Sequence, residues 1–514
     1  MSRAAPRCLL IAALLVSSAG PGPRAAGSPA SSPAADVAFL DALTWGATPS
    51  AFAQLETEGR ARWLHGQLHP PAGARLPPDA QAAIDALTPP GSLFDRAQAL
   101  DAQAKAFKDI QDPEAKKAGQ HAFQMALNTA ARNAASAWVL RALYSPDQLR
   151  ERLTWFWFNR FNVHQGKATL RAAVGDYVDT AIRPHALGRF RDLLMASLRH
   201  PAMLRYLDNA DNAAGRINEN YAREIMELHT MGVGSGYSQA DVEALARILT
   251  GVGIDLKPED PKLRPEHAAD FRRDGLFEFN PNRHDYGDKV FLGTAIQGRG
   301  WPEVEEAVDL IVHHPATATN VSRALATYIL GQPPDDPLVA RLATVFTRTD
   351  GDIAAVVEAL VREPAFAAER GGGFKDPVRY VFSAVRMAYD QRVILNPGPV
   401  LGWLNRLGEG LFNRSTPDGY PLASAAWSGP GQLATRFEIA RQIGSGSAGL
   451  FSAGLFKPPA PDQPEQPAFP VLANGLYYTA VSGTLSAATR AALAQAVSPQ
   501  DWNTLYLASP EFMR

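Results

Sequence analysis

The chain has 514 residues, of which 46% are hydrophobic and 20% are charged. This apolar content is too high, and the charge too low, for a disordered chain, so we expect one large core or two medium ones. Because 50 Lys and Arg residues are balanced by 52 Asp and Glu residues, no net positive field attracts phosphates. The composition therefore excludes a polybasic nucleic-acid binder.

The first 19 residues have the features of a secretory signal peptide. Arg3 and Arg7 precede the apolar run Leu9–Val16, and the small residues Ser17-Ser18-Ala19 follow it. The run is too short for a bilayer core, which needs about 20 apolar residues. Residues 1–19 therefore indicate a cleaved export signal more than a buried N-terminal helix.

Residues 20–35 are rich in Pro, Gly, Ala and Ser and predict a flexible linker. The only cysteine, Cys8, precedes the apolar run, whereas a lipid-anchored cysteine would follow it. Removal of residues 1–19 would leave no cysteine, which excludes disulfides and thiolate metal sites. We expect an exported protein, periplasmic or extracellular, with no transmembrane segment in its mature chain.

The pattern over residues 36–514 predicts a single large helical domain. Apolar residues recur at spacings of three and four, as in Val304, Val308 and Ile311. The flexible sequence Gly371-Gly372-Gly373 is a candidate boundary within this domain, although glycine-rich loops also occur inside single domains.

Several helix starts are marked by their capping residues. Thr48 precedes Pro49, which suits the first helical position. Ser145, Ser238 and Ser498 are each followed three residues later by Gln or Asp. This spacing is typical of a capping box, so we expect a helix after each serine.

One stretch departs from the helical pattern. Phe277-Glu278-Phe279 and Val290-Phe291-Leu292 are β-prone, and residues 280–287 between them are rich in turn formers. We therefore expect a small two-stranded β insertion near residues 276–293. The predicted fold class is an all-α multi-helix bundle with this insertion.

A series of motifs resembles the bacterial family called domain of unknown function 1800. The densest part lies at residues 182–231, and the resemblance extends from about residue 38 to the C-terminus. It rests on Ile182-Arg183-Pro184-His185, His200-Pro201-Ala202-Met203, Asn218-Glu219-Asn220, Glu227-Leu228-His229-Thr230, Tyr237-Ser238-Gln239, Arg283-His284-Asp285, His314-Pro315-Ala316 and residues 427–440.

The resemblance implies a bacterial, frequently exported and largely helical protein, with no established activity. It also implies a partner, because genes of the family often lie beside those of a second exported family, domain of unknown function 1501. The chain departs from the family at Trp157-Phe158-Asn159-Arg160-Phe161, where members commonly have Trp-His-Asn-His-Phe. A metal held by those histidines in relatives would lack both ligands here.

The predicted helix at residues 217–231 carries an ordered set of polar residues. At 100° per residue, one face holds Glu219, Asn220, Arg223, Glu224 and Glu227. Two interpretations stay open. The charges form a solvated face with i,i+4 pairs, or the helix lines a cleft. In a cleft, Glu224 and Glu227 would be catalytic acids or bases, while Asn220 and Arg223 would bind substrate.

The turn between the two β-prone runs contains Arg283-His284-Asp285. A His–Asp pair in a loop can ligate a metal, shuttle a proton or simply form a turn. We expect this turn to lie over the helix at 217–231, so that His284 and Glu224 form an acid–base pair. Arg283 and Asp285 are then further substrate-binding candidates.

The aromatic run Trp155–Phe158 predicts a buried core helix more than a carbohydrate cleft. Asn159 and Lys167, at its end and just beyond, are polar candidates for binding substrate. The His65–His69 pair has no evident third zinc ligand, and the cluster at residues 208–212 lacks the glycine of a calcium loop. We therefore predict no metal site, and any cofactor is unknown.

Two functions remain open at this stage. The chain has no Gly-x-Ser-x-Gly nucleophile motif, no phosphate-binding loop and no His-Glu-x-x-His zinc motif. We favour binding or assembly in the bacterial envelope with another exported protein. The alternative is an envelope hydrolase or lyase that acts on glycan or another polymer through Glu224, Glu227 and His284.

Overall fold

A computed structural model describes residues 32–71, 75–369, 373–452 and 469–514. The predicted signal peptide, residues 20–31 of the predicted linker, Gly371 and Gly372 lie outside the described residues. Helix α1 (Pro33–Leu43) begins within the range predicted as linker. Ser32 caps this helix by accepting a hydrogen bond from the Ala35 amide, and Pro33 takes the first helical position.

The N-terminal part is a series of helices that leads into the aromatic run. After α1, these are α2 (Pro49–Glu58), α3 (Arg60–Leu68), α4 (Pro78–Leu87), α5 (Leu93–Asp109), α6 (Pro113–Tyr144) and α7 (Gln148–Arg160). The 32-residue helix α6 packs against α4, α5 and α7.

The middle of the chain combines short α-helices, π-helical segments and strands. The α-helices are α8 (Val174–Asp176), α9 (Phe190–Arg199), α10 (Pro201–Tyr206), α11 (Asn220–Glu224) and α12 (Gln239–Ile248). Two π-helical segments, Tyr177–Ile182 and Ile225–His229, continue α8 and α11. The strands are β1 (Val252–Ile254), β2 (Arg272–Asp274), β3 (Phe277–Phe279), β4 (Lys289–Phe291) and β5 (Thr294–Ile296).

The C-terminal part is again helical and packs back onto α6 and α1. It contains α13 (Trp301–His313), α14 (Pro315–Leu330), α15 (Asp336–Arg348), α16 (Ile353–Arg362), α17 (Pro364–Glu369), α18 (Pro377–Tyr389), α19 (Gly398–Arg406), α20 (Pro430–Gly444), the π-helical segment Tyr477–Val481, α21 (Ala487–Ala494) and α22 (Pro499–Leu507). Helices α18 and α19 contact α6, and the segment Tyr477–Val481 contacts α1. The predicted all-α fold class is confirmed.

Helix α7 lies at the centre of the core. Except for Arg150, every residue from Gln148 to Asn159 is buried, so the aromatic run is a core helix, as predicted. One continuous cluster of buried hydrophobic residues extends from Phe39 to Met513. It has members on both sides of residues 371–373, which therefore do not separate two cores.

The capping signals correctly mark three of the four helix starts. Thr48, Ser238 and Ser498 each accept a hydrogen bond from a backbone amide of the first turn. The helix expected after Ser145 is present as α7, but Ser145 does not cap it, because α7 begins at Gln148 and Ser145 instead ends α6. The side-chain amide of Gln148 donates hydrogen bonds to the carbonyl oxygens of Ala142 and Ser145, which stabilises the end of α6.

The two predicted strands exist but do not pair with each other. Strand β3 is the centre of a three-stranded antiparallel sheet with the order β1-β3-β2, and β4 pairs with β5. Sequence analysis missed β1, β2 and β5. Gly251, with φ of +80°, makes the turn from α12 into β1, where a Cβ atom would lie 2.6 Å from the Asn280 carbonyl oxygen.

We expect Trp157→Ala to destabilise the fold strongly. The Trp157 side chain is fully buried, and its indole N–H donates to the Ala186 carbonyl 3.0 Å away. Loss of the ring should lower the free energy of unfolding by about 3–5 kcal/mol in urea denaturation. Tyr478→Ala, which removes an aromatic ring that is 67% exposed, should change it by less than about 0.5 kcal/mol. Equal losses in the two variants would contradict the central position of α7.

Candidate functional site

The helix predicted at residues 217–231 is shorter than expected and changes type midway. It begins as α11 at Asn220 and continues as the π-helical segment from Ile225 to His229. Arg223 lies 3.1 Å from Glu219 and 3.6 Å from Glu227, measured between side-chain nitrogen and oxygen atoms. Both predicted i,i+4 pairs therefore form, and Arg223 is largely occupied by them.

Glu224 is half-buried, and the charges of two other carboxylates, Glu227 and Asp418, act on it. No described residue donates a hydrogen bond to its side chain, whereas Glu227 forms an ion pair with Arg223. Burial raises the pKa of Glu224; the charges of Glu227 and Asp418 add to this effect, and the charge of Arg223 opposes it. We name Glu224, Glu227 and Asp418 the carboxylate cluster.

The third member of the cluster comes from a loop that is remote in sequence. Asp418 lies in the loop at residues 408–420, where its two oxygens each accept a hydrogen bond of 2.9 Å from Arg414. Tyr206 lies between this loop and the helix and donates to the Ser415 carbonyl. Burial, together with the charges of Glu224 and Asp418, raises the pKa of Tyr206 to about 12.

Asn159 and Lys167 hold backbone segments near the cluster. The Asn159 side-chain nitrogen donates to the Tyr420 carbonyl oxygen at 2.9 Å, and the Asn159 side-chain oxygen accepts from the Tyr420 backbone N–H at 2.6 Å. The Lys167 ammonium donates to the Tyr206 carbonyl at 2.6 Å and pairs with Asp208 at 2.7 Å. The geometry makes both residues anchors of this region, and neither side chain is left without partners.

Asn220 has a similar anchoring role at the start of α11. The residue is exposed, and its side-chain amide donates to the Leu207 carbonyl 3.1 Å away. This contact ties the start of α11 to the end of α10. Of the charged residues predicted on this helix, Glu224 alone has neither a hydrogen bond nor an ion pair with another described residue.

His284 does not form the expected acid–base pair with Glu224. Its Nδ1 atom lies 2.7 Å from the Thr250 carbonyl oxygen, and its Nε2 atom lies 2.7 Å from a carboxylate oxygen of Glu303. The side chain is fully buried. Both ring nitrogens therefore have internal partners, and the histidine fastens its turn to the C-terminal end of α12 and the start of α13.

Glu303 is the centre of a closed polar network around this turn. Besides His284, it accepts hydrogen bonds from the Lys289 ammonium at 2.5 Å and from the Arg299 and Gly300 amides at 2.9 Å. Burial opposes ionisation of Glu303, but the hydrogen bonds and charges of His284 and Lys289 outweigh it and lower the pKa. The network has a structural role, because the side chains of Glu303 and Lys289 are fully buried and pair with each other.

Arg283 and Asp285 also have internal partners. The Arg283 guanidinium donates to the Ala210 carbonyl at 2.8 Å, and the Asp285 carboxylate pairs with Arg247 at 2.8 Å. The turn thus contacts the segment that precedes α11, but not the face that carries Glu224. Its position was predicted wrongly because adjacent residues in a turn point to different neighbours, which the sequence does not identify.

The chain can now be compared with known proteins. The family described as "Protein of unknown function (DUF1800)" matches residues 38–514. The chain belongs to this family. No curated protein and no solved structure matches it.

In this DUF1800 protein, the block that departs from the family pattern is part of the core. Phe158 packs edge-on against Trp138, with ring centroids 5.4 Å apart. Arg160 donates to the His229 carbonyl at 2.9 Å and so caps the C-terminal end of the π-helical segment. Burial lowers the pKa of His229 to about 3.

Two further findings concern the described residues of the DUF1800 protein. Within them, no group of three or more His, Cys, Asp or Glu side chains is placed to hold a metal ion. No helix in the same part of the chain has both the length and the apolar character needed to cross a membrane.

We expect Glu303→Gln to destabilise the protein by about 3–5 kcal/mol, because the buried Lys289 ammonium would lose its counter-charge. Since the pKa of Glu303 is lowered, its contribution to stability is present above the unfolded-state pKa of about 4.3 and is lost as the pH falls through the lower folded-state value. Urea denaturation between neutral and acidic pH measures both effects. Glu306→Gln, which breaks the exposed pair with Arg299, is the control and should cost less than about 1 kcal/mol.

Proposed function

We propose that this DUF1800 protein is exported and assembles with a second exported protein of the bacterial envelope, with the carboxylate cluster in the contact. Export is supported by the charged, apolar and small-residue segments of residues 1–19. A partner from the family domain of unknown function 1501 is supported by the gene neighbourhood that the family resemblance implies.

The observation that carries this proposal is the state of the Glu224 side chain. It is half-buried and receives no hydrogen bond from the described residues; the negative charges of Glu227 and Asp418 raise its pKa, and the positive charge of Arg223 opposes this rise without cancelling it. A carboxylate in such surroundings is unfavourable alone, and a cationic side chain that supplies charge-assisted hydrogen bonds would stabilise it. An Arg or Lys side chain of the partner has the required chemistry.

The residues around this helix support a protein contact. Ile217 lies just before it and is 40% exposed, and Val233 lies just after it and is 77% exposed. Protein interfaces combine apolar side chains with a charged or polar rim. The apolar residues and the cluster together present both components.

We expect the double variant Glu224→Gln, Glu227→Gln to bind the partner at least about tenfold more weakly, a difference of about 1.4 kcal/mol. The measurement is calorimetric titration of the full-length DUF1800 protein with the DUF1501 protein of the same organism. Because the attraction is electrostatic, affinity should also fall as salt rises.

The matched control is Glu358→Gln on α16. Glu358 pairs with Arg362 four residues later, as Glu227 pairs with Arg223, but it lies outside the cluster. This variant should bind like the wild type. Equal affinities for all three proteins, or the absence of any complex, would contradict the proposed contact.

A second candidate function is acid–base catalysis on glycan or another polymer. The observation that favours it is the unequal environment of the two carboxyl groups on one helix. Glu224 has a raised pKa and no ion pair among the described residues, whereas Glu227 pairs with Arg223. When the environments of two carboxyl groups differ in this way, one group can act as the general acid and the other as the general base. His284 has no part in this version, because it is enclosed with Glu303.

Catalysis would be detected as release of soluble fragments from purified envelope polymers. Loss of a general acid typically slows a reaction by about 10²–10⁴-fold, so Glu224→Gln should reduce release to that extent while Glu358→Gln retains it. Fragment release that is unchanged in Glu224→Gln would exclude this site as the catalytic one.

A further inference from the structure

A cavity of about 310 Å³ lies between α6 and the π-helical segment Tyr177–Ile182. One wall is apolar and consists of Ala134, Ala137 and Trp138 on α6, with Val178 and Phe412 nearby. The cavity does not include the carboxylate cluster. Its volume lies at the lower end of the range for small-molecule sites, which is about 300–1,000 Å³.

The polar part of the cavity has an excess of cations. Four guanidinium groups line it, from Arg96, Arg141, Arg171 and Arg183, whereas the carboxylates among its described lining residues are those of Asp176 and Asp179. Asp179 is shared by Arg141 and Arg183, Asp176 is shared by Arg96 and His200, and Glu151 behind the lining pairs with Arg183, so that three carboxylates face four guanidinium groups. Burial and the nearby charge of Arg183 lower the pKa of Arg141, a sign of this crowding.

Arg171 has no carboxylate partner among the described residues. Its two terminal nitrogens donate to the side-chain amide oxygens of Asn128 at 2.6 Å and Gln124 at 2.8 Å. Neutral partners orient the guanidinium group but leave its charge uncompensated. An anion in the cavity would supply the missing charge.

Four buried N–H groups of the lining residues have no hydrogen-bond acceptor among the described residues. They are the Nε atoms of Arg96 and Arg171, the Nη2 atom of Arg183 and the indole Nε1 atom of Trp138. Trp138 is only 1% exposed. Buried donors without acceptors are uncommon in proteins. Nitrogens of five arginines elsewhere in the described residues also lack an acceptor, but this cavity has four such donors among its lining residues.

The backbone around the cavity has two uncommon features. Phe412 has φ of +65°, in the left-handed region that bulky residues seldom adopt. Its ring is held there between Trp138 and Phe158, with centroids 5.5 and 5.2 Å away. The opposite wall is π-helical, and both features occur preferentially at functional sites.

We propose that this cavity binds a small organic oxyanion, a carboxylate or a phosphate ester joined to an apolar body. The oxyanion accepts hydrogen bonds from the unpartnered N–H groups, and the body packs on Trp138 and the alanines of α6. This site is separate from the contact proposed above and does not depend on it.

The test is calorimetric titration of the full-length protein with benzoate, phenyl phosphate, benzamide and inorganic phosphate at up to millimolar concentration. We expect saturable binding of benzoate or phenyl phosphate, none of the neutral benzamide, and weaker binding of inorganic phosphate. Arg171→Gln should weaken binding at least about tenfold. Arg132→Gln, an exposed residue of α6 outside the lining, should leave it unchanged.

Trp138→Phe is a second variant that keeps an aromatic ring and removes one unpartnered N–H group. It should fold and bind the anion less tightly. Glu224→Gln should bind it as the wild type does, which separates this site from the carboxylate cluster. No saturable binding of either organic anion would overturn the proposal. So would equal binding by Arg171→Gln and the wild type, or equal affinity for inorganic and phenyl phosphate.

Discussion

The burial of α7 over all but Arg150 and Arg160 imposes a constraint on its surroundings, because its polar side chains must find partners inside the protein. Arg152 donates to the Asp41 carbonyl at the end of α1. Glu151 pairs with Arg183 at the arginine-lined cavity, and Asn159 binds Tyr420 of the loop at 408–420. Arg160 caps the segment that carries Glu227. One helix thus fixes the positions of elements that come from distant parts of the sequence.

The loop at residues 408–420 connects the two regions of chemical interest. Phe412 lines the cavity, and the charge of Asp418 acts on Glu224. Asn162 stabilises the loop between these points by donating to the carbonyl oxygens of Arg414 and Thr416. The strained backbone at Phe412 is therefore held by aromatic packing on one side and by hydrogen bonds on the other.

His284 shows how a plausible catalytic residue can be structural. Its position in a polar turn is typical of functional loops, yet it is enclosed with Glu303 and Lys289. A buried ionic network of this kind contributes specificity to the fold more clearly than stability, because desolvation offsets much of the attraction. It holds the turn and β4 against the start of α13.

The sequence by itself determined the features that depend on short-range contacts. These are the helix starts at Thr48, Ser238 and Ser498 and the pairs of Arg223 with Glu219 and Glu227. Their partners lie three or four residues apart, where the geometry of a helix is known in advance. The core helix and the family were likewise identified from the sequence, by the aromatic run and by the family motifs. Tertiary structure alone decided the partners of His284, the approach of Asp418 to Glu224 and the gathering of Arg96, Arg171 and Arg183 around one cavity. These groups are far apart in sequence, and they meet because the burial of α6 and α7 brings their elements together.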